Sequence, residues 1–191
     1  MKETYLYKKL KNKKARPQRL ATSMAGAVQC QTCNHLCTIA EWKRGICAVR
    51  ENQDGKLYLL TYGRACAENI DPIEKKPFYQ FLPYTKTLTI ATVGCNFACT
   101  WCQNYDISQG PKDPSLHCKV GECDWLLPPA KIVDDAIKNN CPSISYSYTE
   151  PTVYLEYALD TMKLAHKKGL KNIWVSNGYM SQETLDLIIP Y

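Results

Sequence analysis

The chain has 191 residues, of which 45% are hydrophobic and 22% charged, with a formal net charge of +6. That is enough for one ordinary domain, or for a small module followed by part of a larger one, and the apolar content allows a real core. No stretch approaches the run of about eighteen apolar residues that a membrane-spanning helix requires, so the composition predicts a soluble protein.

Much of the positive charge sits in the first nineteen residues, where eight Lys or Arg face a single acid, Glu3. The stretch lacks an apolar segment long enough for export, so a secretory leader is rejected. It reads as a basic arm, 1–29, solvated and partly disordered. The remaining chain is close to neutral, which argues against a nucleic-acid partner. Eleven cysteines, an odd number, without an export signal predict a reducing, cytoplasmic setting, where clustered thiols bind metal more often than they bridge.

Residues 30–66 read as a small cysteine-rich module of strands and turns, with Asp54-Gly55 as a hairpin turn between "ICAVRE" and "LYLLTYG". "ENIDPIEKKPFYQFLP" has three prolines and mixed charges, and predicts an extended connector, 67–86. From residue 87 the pattern alternates. "TLTIATV", "SISYSY" and "NIWVS" are strands; "AKIVDDAIKNN", "TVYLEYALDTMKLAHKK" and "SQETLDLII" are helices. This predicts an α/β fold of about three β/α units on a parallel sheet. Pro129 and Pro151 suit helix starts, and Lys167, Lys168 and Gly169 suit a helix end. Tyr154, Ala158, Met162 and Ala165 recur every three to four residues, as a core-facing stripe does. Three units make only part of a barrel, which needs about 250 residues. "LIIPY" stops where a further strand is expected, which predicts a chain that is truncated or completed by a partner.

The chemistry concentrates in "GCNFACTWCQN". Cys95, Cys99 and Cys102 fall within eight positions on the loop that follows the first of these strands, at the end where β/α folds place their ligands. A purely structural metal site closes its shell with four protein ligands, and three leave a position open. The CxxxCxxC spacing, with an aromatic before the last cysteine, resembles the radical SAM enzymes. "GICAVREN", "DPIEKKPFYQFLP", "GCNFACTWCQNYDIS", "YTEPTVYLEY" and "SNGYMS" extend the likeness to the AmmeMemoRadiSam-system enzymes, relatives of the pyruvate formate-lyase activating enzymes.

This resemblance implies a 4Fe-4S cluster on Cys95, Cys99 and Cys102, with S-adenosylmethionine on the remaining iron. It implies reductive cleavage to a 5'-deoxyadenosyl radical, hydrogen-atom abstraction from a substrate that in the activating enzymes is a protein, and an electron donor such as flavodoxin or ferredoxin. Trp101 stands at the family's aromatic position, near the adenine. Tyr148, Thr149 and Glu150 fall where many relatives carry Gly-Gly-Glu against the methionine amino group, and Asn177 is a ribose or carboxylate contact on the same rim.

A second set, Cys30, Cys33, Cys37 and Cys47, supplies four thiolates, which suit structural zinc or a second iron-sulfur cluster equally. His35 reads as a spectator. Cys66, Cys118, Cys123 and Cys141 read as buried or idle thiols, and Lys75 and Lys76 as solvated. The alternative class is a non-catalytic zinc or iron-sulfur module in electron transfer or in binding nucleic acid or a protein partner, which would need a fourth ligand for the Cys95 loop.

Overall fold

The computed structural model describes residues 1–10 and 26–191. Part of the stretch read as a solvated arm is ordered sheet. Strands β1 (Lys2–Glu3) and β2 (Tyr7–Lys9) pair with later strands, whereas residues 11–25 of that arm lie outside the described residues. β3 (Val28–Cys30), β4 (Thr38–Ile39), β5 (Arg50–Gln53) and β6 (Lys56–Leu59) follow. They form two small antiparallel sheets, β2-β3-β4 and β1-β6-β5. Val28, Cys30, Ile39 and Leu57 make a miniature core between them. The β5–β6 turn has Asp54 at φ 52° and Gly55 at φ 72°, the left-handed pair that a two-residue hairpin requires. Asn52 Oδ1 accepts from Gly55 N at 3.0 Å and fixes the turn.

After β7 (Arg64–Ala65) come β8 (Ala67–Pro72) and β9 (Lys86–Ala91). Helix α1 (Tyr105–Gln109) and β10 (Trp125–Leu126) lead to α2 (Pro129–Lys138), β11 (Ser143–Tyr146), α3 (Leu155–Lys167), β12 (Lys171–Trp174) and α4 (Gln182–Ile188). The principal sheet has the order β12-β11-β9-β8, with β9, β11 and β12 parallel. β8, cut from the segment read as a connector, runs antiparallel to β9 over six residue pairs. The fold is mixed α/β. Helix α3 is preceded by one 3-10 turn, Pro151–Tyr154, so the start marked by Pro151 is tighter than an α-helical one.

Side chains alternate across the sheet. Leu88, Ile90, Ile144 and Tyr146 point to the helices and join Ile132, Val133, Tyr157, Ala158, Met162 and Ala165 in the main core. The opposite face carries Thr87, Thr89, Ser143 and Ser145, all buried. Thr87 and Ser145 hydroxyls meet at 2.8 Å, and Thr89 donates to Asp71 of β8 at 2.9 Å. Three of these hydroxyls are paired within the face or with Asp71, whereas Ser143 Oγ has no partner.

The small sheets are not a free appendage. Arg50 of β5, with its side chain 2% exposed, pairs with fully buried Glu156 of α3 through bonds of 3.1 and 2.7 Å. Burial alone would lower the guanidinium pKa, but the Glu156 carboxylate outweighs it and holds it above its ordinary value. Tyr5 N donates to the same carboxylate at 3.0 Å, and Lys2 and Tyr62 pair with Asp160 one turn further along α3. β10 pairs with β7, supported by Arg64 and Asp124 at 2.7 Å. Cys118 and Cys123, expected as idle thiols, form a disulfide within the loop before β10, with Cα atoms 5.1 Å apart. Their separation of five residues brings them together across one tight turn, a short-range closure that spacing alone did not single out.

Candidate functional site

The three parallel strands end side by side, and the loop leaving each of them faces one open cleft of about 570 Å³. This is the volume of a small-molecule site. The loop after β9 contributes Cys95, Phe97, Cys99 and Cys102; the loop after β11 contributes Ser147 to Glu150; the loop after β12 contributes Val175 to Asn177. Of the residues singled out in the sequence, Cys95, Cys99, Cys102, Tyr148, Thr149, Glu150 and Asn177 line this cleft. Trp101 does not; it lies 84% exposed on the outside of the cysteine loop.

The cysteine loop is entered through Gly94, at φ 98°. A Cβ there would stand 2.5 Å from Val49 Cγ1 and 2.9 Å from the Cys47 carbonyl, so only glycine lets the loop pass against the small sheets. Gly94 N donates to Ile107 O at 2.8 Å, while Gln109 and Lys112 donate to Phe97 O at 2.8 and 3.1 Å. Helix α1 therefore clamps the loop from behind. Cys95 and Cys102 are half-buried and Cys99 is exposed. Burial pushes the Cys95 thiol up from its ordinary value, and its sulfur accepts from Phe97 N at 3.4 Å.

Glu150 is 3% exposed and holds the rim together. Its carboxylate accepts from Thr152 N at 3.0 Å, Ser176 Oγ at 2.8 Å and Asn177 N at 2.7 Å, so it joins the loop after β11 to the loop after β12. The Asn177 side chain is engaged at both ends: Nδ2 donates to Asn96 Oδ1 at 2.8 Å, and Oδ1 accepts from Tyr179 N at 3.0 Å. The chain Glu150–Asn177–Asn96 is thus a continuous strut across all three loops.

Tyr148 has φ 64°, a left-handed conformation that favours glycine and is costly for a bulky residue. Its hydroxyl donates to Asp71 Oδ2 at 2.7 Å, and Lys76 Nζ lies 4.6 Å from its ring centre. Asp71 also accepts from Lys75 at 2.8 Å and Lys76 at 2.9 Å. Burial opposes ionisation of Asp71, but the donors from Lys75, Tyr148, Lys76 and Thr89 outweigh it and hold the carboxyl well below the usual range. Lys76, expected to be solvated, is buried at the cleft wall beside Lys75. Asp71 had no expected role and Lys75 and Lys76 were expected to be solvated, although "DPIEKKPF" is among the motifs of the resemblance. An acid followed by lysines four and five positions on is the signal that would have found them.

Cys30, Cys33, Cys37 and Cys47 line a second, small cavity of about 20 Å³ inside the small sheets, together with Arg50, Asn96 and Thr152. Burial pushes the Cys47 thiol up to about 12. Among the described residues, no three Cys, His, Asp or Glu side chains already stand at coordinating geometry in either cysteine set. His35, read as a spectator, links the two cavities. Its Nε2 lies 2.9 Å from Asn96 O, and its ring packs edge-on against Phe97 and Tyr179, with centroids 6.0 and 4.9 Å away.

A cleft at the carboxyl ends of parallel strands, walled by three thiols on one side and by paired lysines on another, lies where α/β folds place their ligands. The profile of the Radical SAM superfamily matches residues 89–191, more than half of the chain, and the chain belongs to that superfamily. Two relatives come from Methanocaldococcus jannaschii. The uncharacterized protein MJ0808 is 42% identical over 97% of this chain and 50% of its own length. The uncharacterized protein MJ0674 is 27% identical over 83% of this chain and 41% of its own length. The chain therefore spans about half the length, or less, of the curated relatives it matches. No solved structure matches it. Among the described residues, no helix is long and apolar enough to cross a membrane.

Proposed function

We propose that the cleft holds a 4Fe-4S cluster on Cys95, Cys99 and Cys102 and binds S-adenosylmethionine beside it, in the activating-enzyme-like branch of the superfamily. The three parallel strands would then be an arc of a larger β/α barrel. The observation that carries this reading is the convergence of the three thiols with the loops after β11 and β12 on one cleft of about 570 Å³, a volume that admits both groups. The donor set also fits: thiolates suit iron-sulfur clusters, and the loop leaves one iron without a protein ligand. When bound, the pair supplies a reductively generated carbon radical able to abstract a hydrogen atom.

The chain's own residues do the rest. Gly94 and α1 fix the thiols, Glu150 and Asn177 hold the far rim at a set distance, and Lys75 and Lys76 give the wall positive charge suited to a carboxylate. Trp101 sits outside the cleft wall, so an adenine contact there would require the loop to fold inward over bound cofactor. Next to Pro77 on the cleft wall, Phe78, Tyr79, Phe81 and Tyr84 are exposed. Clustered exposed aromatics favour a protein over a small molecule as substrate. A flavodoxin- or ferredoxin-class donor would supply the electron in a cytoplasmic setting.

The test is anaerobic iron loading followed by dithionite, with 5'-deoxyadenosine as the readout, on this chain and on the full-length gene product. The triple variant Cys95→Ala, Cys99→Ala, Cys102→Ala should form none. Equal cofactor cleavage by variant and parent would overturn the proposal.

A further inference from the structure

The small cavity inside the N-terminal sheets contains more than four cysteines. Three polar atoms that line or approach it are buried without any hydrogen-bond partner: Arg50 Nε, Asn96 Nδ2 and Thr152 Oγ1. Their side chains come from three separate elements, β5, the loop after β9 and the 3-10 turn before α3. A buried donor left unsatisfied costs about 1–3 kcal/mol. Seven such atoms occur among the described residues, and the gathering of three of them on one cavity points to a missing acceptor there.

We propose that Cys30, Cys33, Cys37 and Cys47 bind a single zinc-class divalent ion as a tetrathiolate, and that Arg50, Asn96 and Thr152 donate hydrogen bonds to its sulfurs. Four thiolates around a divalent ion carry a net charge of −2, which is the acceptor these donors lack. Binding exchanges the thiol protons for the ion with no change in oxidation state, so no electron is required. The cavity of about 20 Å³ admits a single ion without displacing its walls, which favours one ion over an iron-sulfur cubane. The first two cysteines have the C-x2-C spacing of zinc knuckles. The four cysteines line the one cavity, and binding would draw their thiols together onto the ion.

The position gives the ion a task. The backbone around Cys33 is bonded to the segment just after the cleft-lining residues Val175 to Asn177: Cys33 bridges Met180, Asn34 N donates to Tyr179 O at 3.1 Å, and Ser181 N donates to Thr32 O at 3.2 Å. On the other side Asn96 belongs to the cysteine loop and also supports Asn177. The ion thus braces, from behind, the two loops that carry opposite walls of the cleft. This bracing role deepens the proposed function, whereas the metal assignment stands apart from it.

The test uses the Cys95→Ala, Cys99→Ala, Cys102→Ala variant, which removes the cleft thiols. Purified without oxygen, it should be colourless and retain one zinc per chain. X-ray absorption should show four sulfur neighbours at about 2.3 Å, and exchange with cobalt(II) should give the visible spectrum of a tetrahedral tetrathiolate. Retention of several irons with acid-labile sulfide would overturn the assignment in favour of a second cluster. A metal-free, folded chain whose four thiols react with a disulfide reagent would overturn it altogether. Thr152→Val, which removes only a hydroxyl, should keep the ion but weaken its affinity about tenfold in competition with a chromogenic chelator. An unchanged affinity would refute the role given to the surrounding donors. Because these readouts are metal content and affinity in a chain unable to cleave S-adenosylmethionine, their failure would leave the radical reading untouched, and the converse holds as well.

Discussion

Replacing Glu156 with Gln probes the joint between the small sheets and the α/β layer. The pair it breaks is fully enclosed, with Arg50 2% and Glu156 0% exposed, and has two hydrogen bonds of 3.1 and 2.7 Å. Glutamine preserves the shape and one acceptor but removes the counter-charge, leaving a guanidinium that water cannot reach. Breaking such a pair from one side costs about 3–5 kcal/mol, a large share of the roughly 5–15 kcal/mol by which domains are stable. For a chain of this size each kcal/mol moves the melting temperature by about 2–4 °C, so Glu156→Gln should melt about 6–20 °C lower. Circular dichroism melts and urea titrations would measure it. Arg50→Met with Glu156→Leu removes both charges and should recover most of the loss, short of the bond from Tyr5 N that Glu156 also accepts and of the donor that Arg50 offers the four-cysteine cavity. A single variant within about 1 kcal/mol of the parent, or a double variant worse than the single, would refute the argument that charge burial dominates this joint.

Three further outcomes follow from the cleft. Asp71→Asn should be less stable than the parent at pH 7, because buried Lys76 loses its counter-ion. The Asp71 carboxyl is held below its ordinary value, so its contribution is present above the unfolded pKa of about 3.9 and fades as pH falls below it. The gap in urea midpoint between parent and variant should therefore narrow below about pH 4, and a gap that widens there would show that Asp71 is not the ionised partner. Tyr148→Phe removes one bond to that carboxylate and should cost about 1 kcal/mol in urea unfolding. Gly94→Ala drives a methyl into Val49 and the Cys47 carbonyl at a left-handed residue, and should cost about 1–3 kcal/mol while lowering iron retention after anaerobic loading. A neutral Gly94→Ala would mean that the loop can move away from the small sheets.

Sequence pattern was most informative where structure is local. The residues 130–140 read as a helix lie on α2 (Pro129–Lys138), the Tyr154, Ala158, Met162 and Ala165 stripe is buried, and Asp54-Gly55 turns the β5–β6 hairpin. Each rests on a period or a turn residue within a few positions. Pairings across long separations left no such trace. β1 and β2 are two and three residues long, find their partners 57 and 23 residues away at Leu59 and Cys30, and show no alternation of their own. β8 reads "AENIDP", too polar to resemble a strand, because one side of it belongs to the hydroxyl face and the other to solvent. Arg50 and Glu156 lie 106 residues apart, and nothing in either neighbourhood announces a buried ion pair. At the site, the thiols stood out by their spacing and the "YTE" and "SNG" stretches by the family resemblance. Asp71, Lys75 and Lys76 stood in such a motif too, but were given no role, since lysines beside prolines ordinarily mark surface.

The polar strut explains why both kinds of site would need one another. Glu150 holds the loop after β11 to the loop after β12, Asn177 extends that hold to Asn96, and Asn96 presents its backbone carbonyl to His35 and its amide to the four-cysteine cavity. Each link is a short bond between buried or half-buried groups, so a displacement at one end is passed on rather than absorbed. The radical chemistry proposed for the cleft would require this stiffness, because reacting atoms must be held within about half an ångström while water is kept out. Thiols on an irregular loop cannot supply it alone. The small sheets supply it from behind through Gly94 and from the side through Asn96, so the N-terminal cysteines contribute to the geometry of a cleft whose wall they do not themselves line.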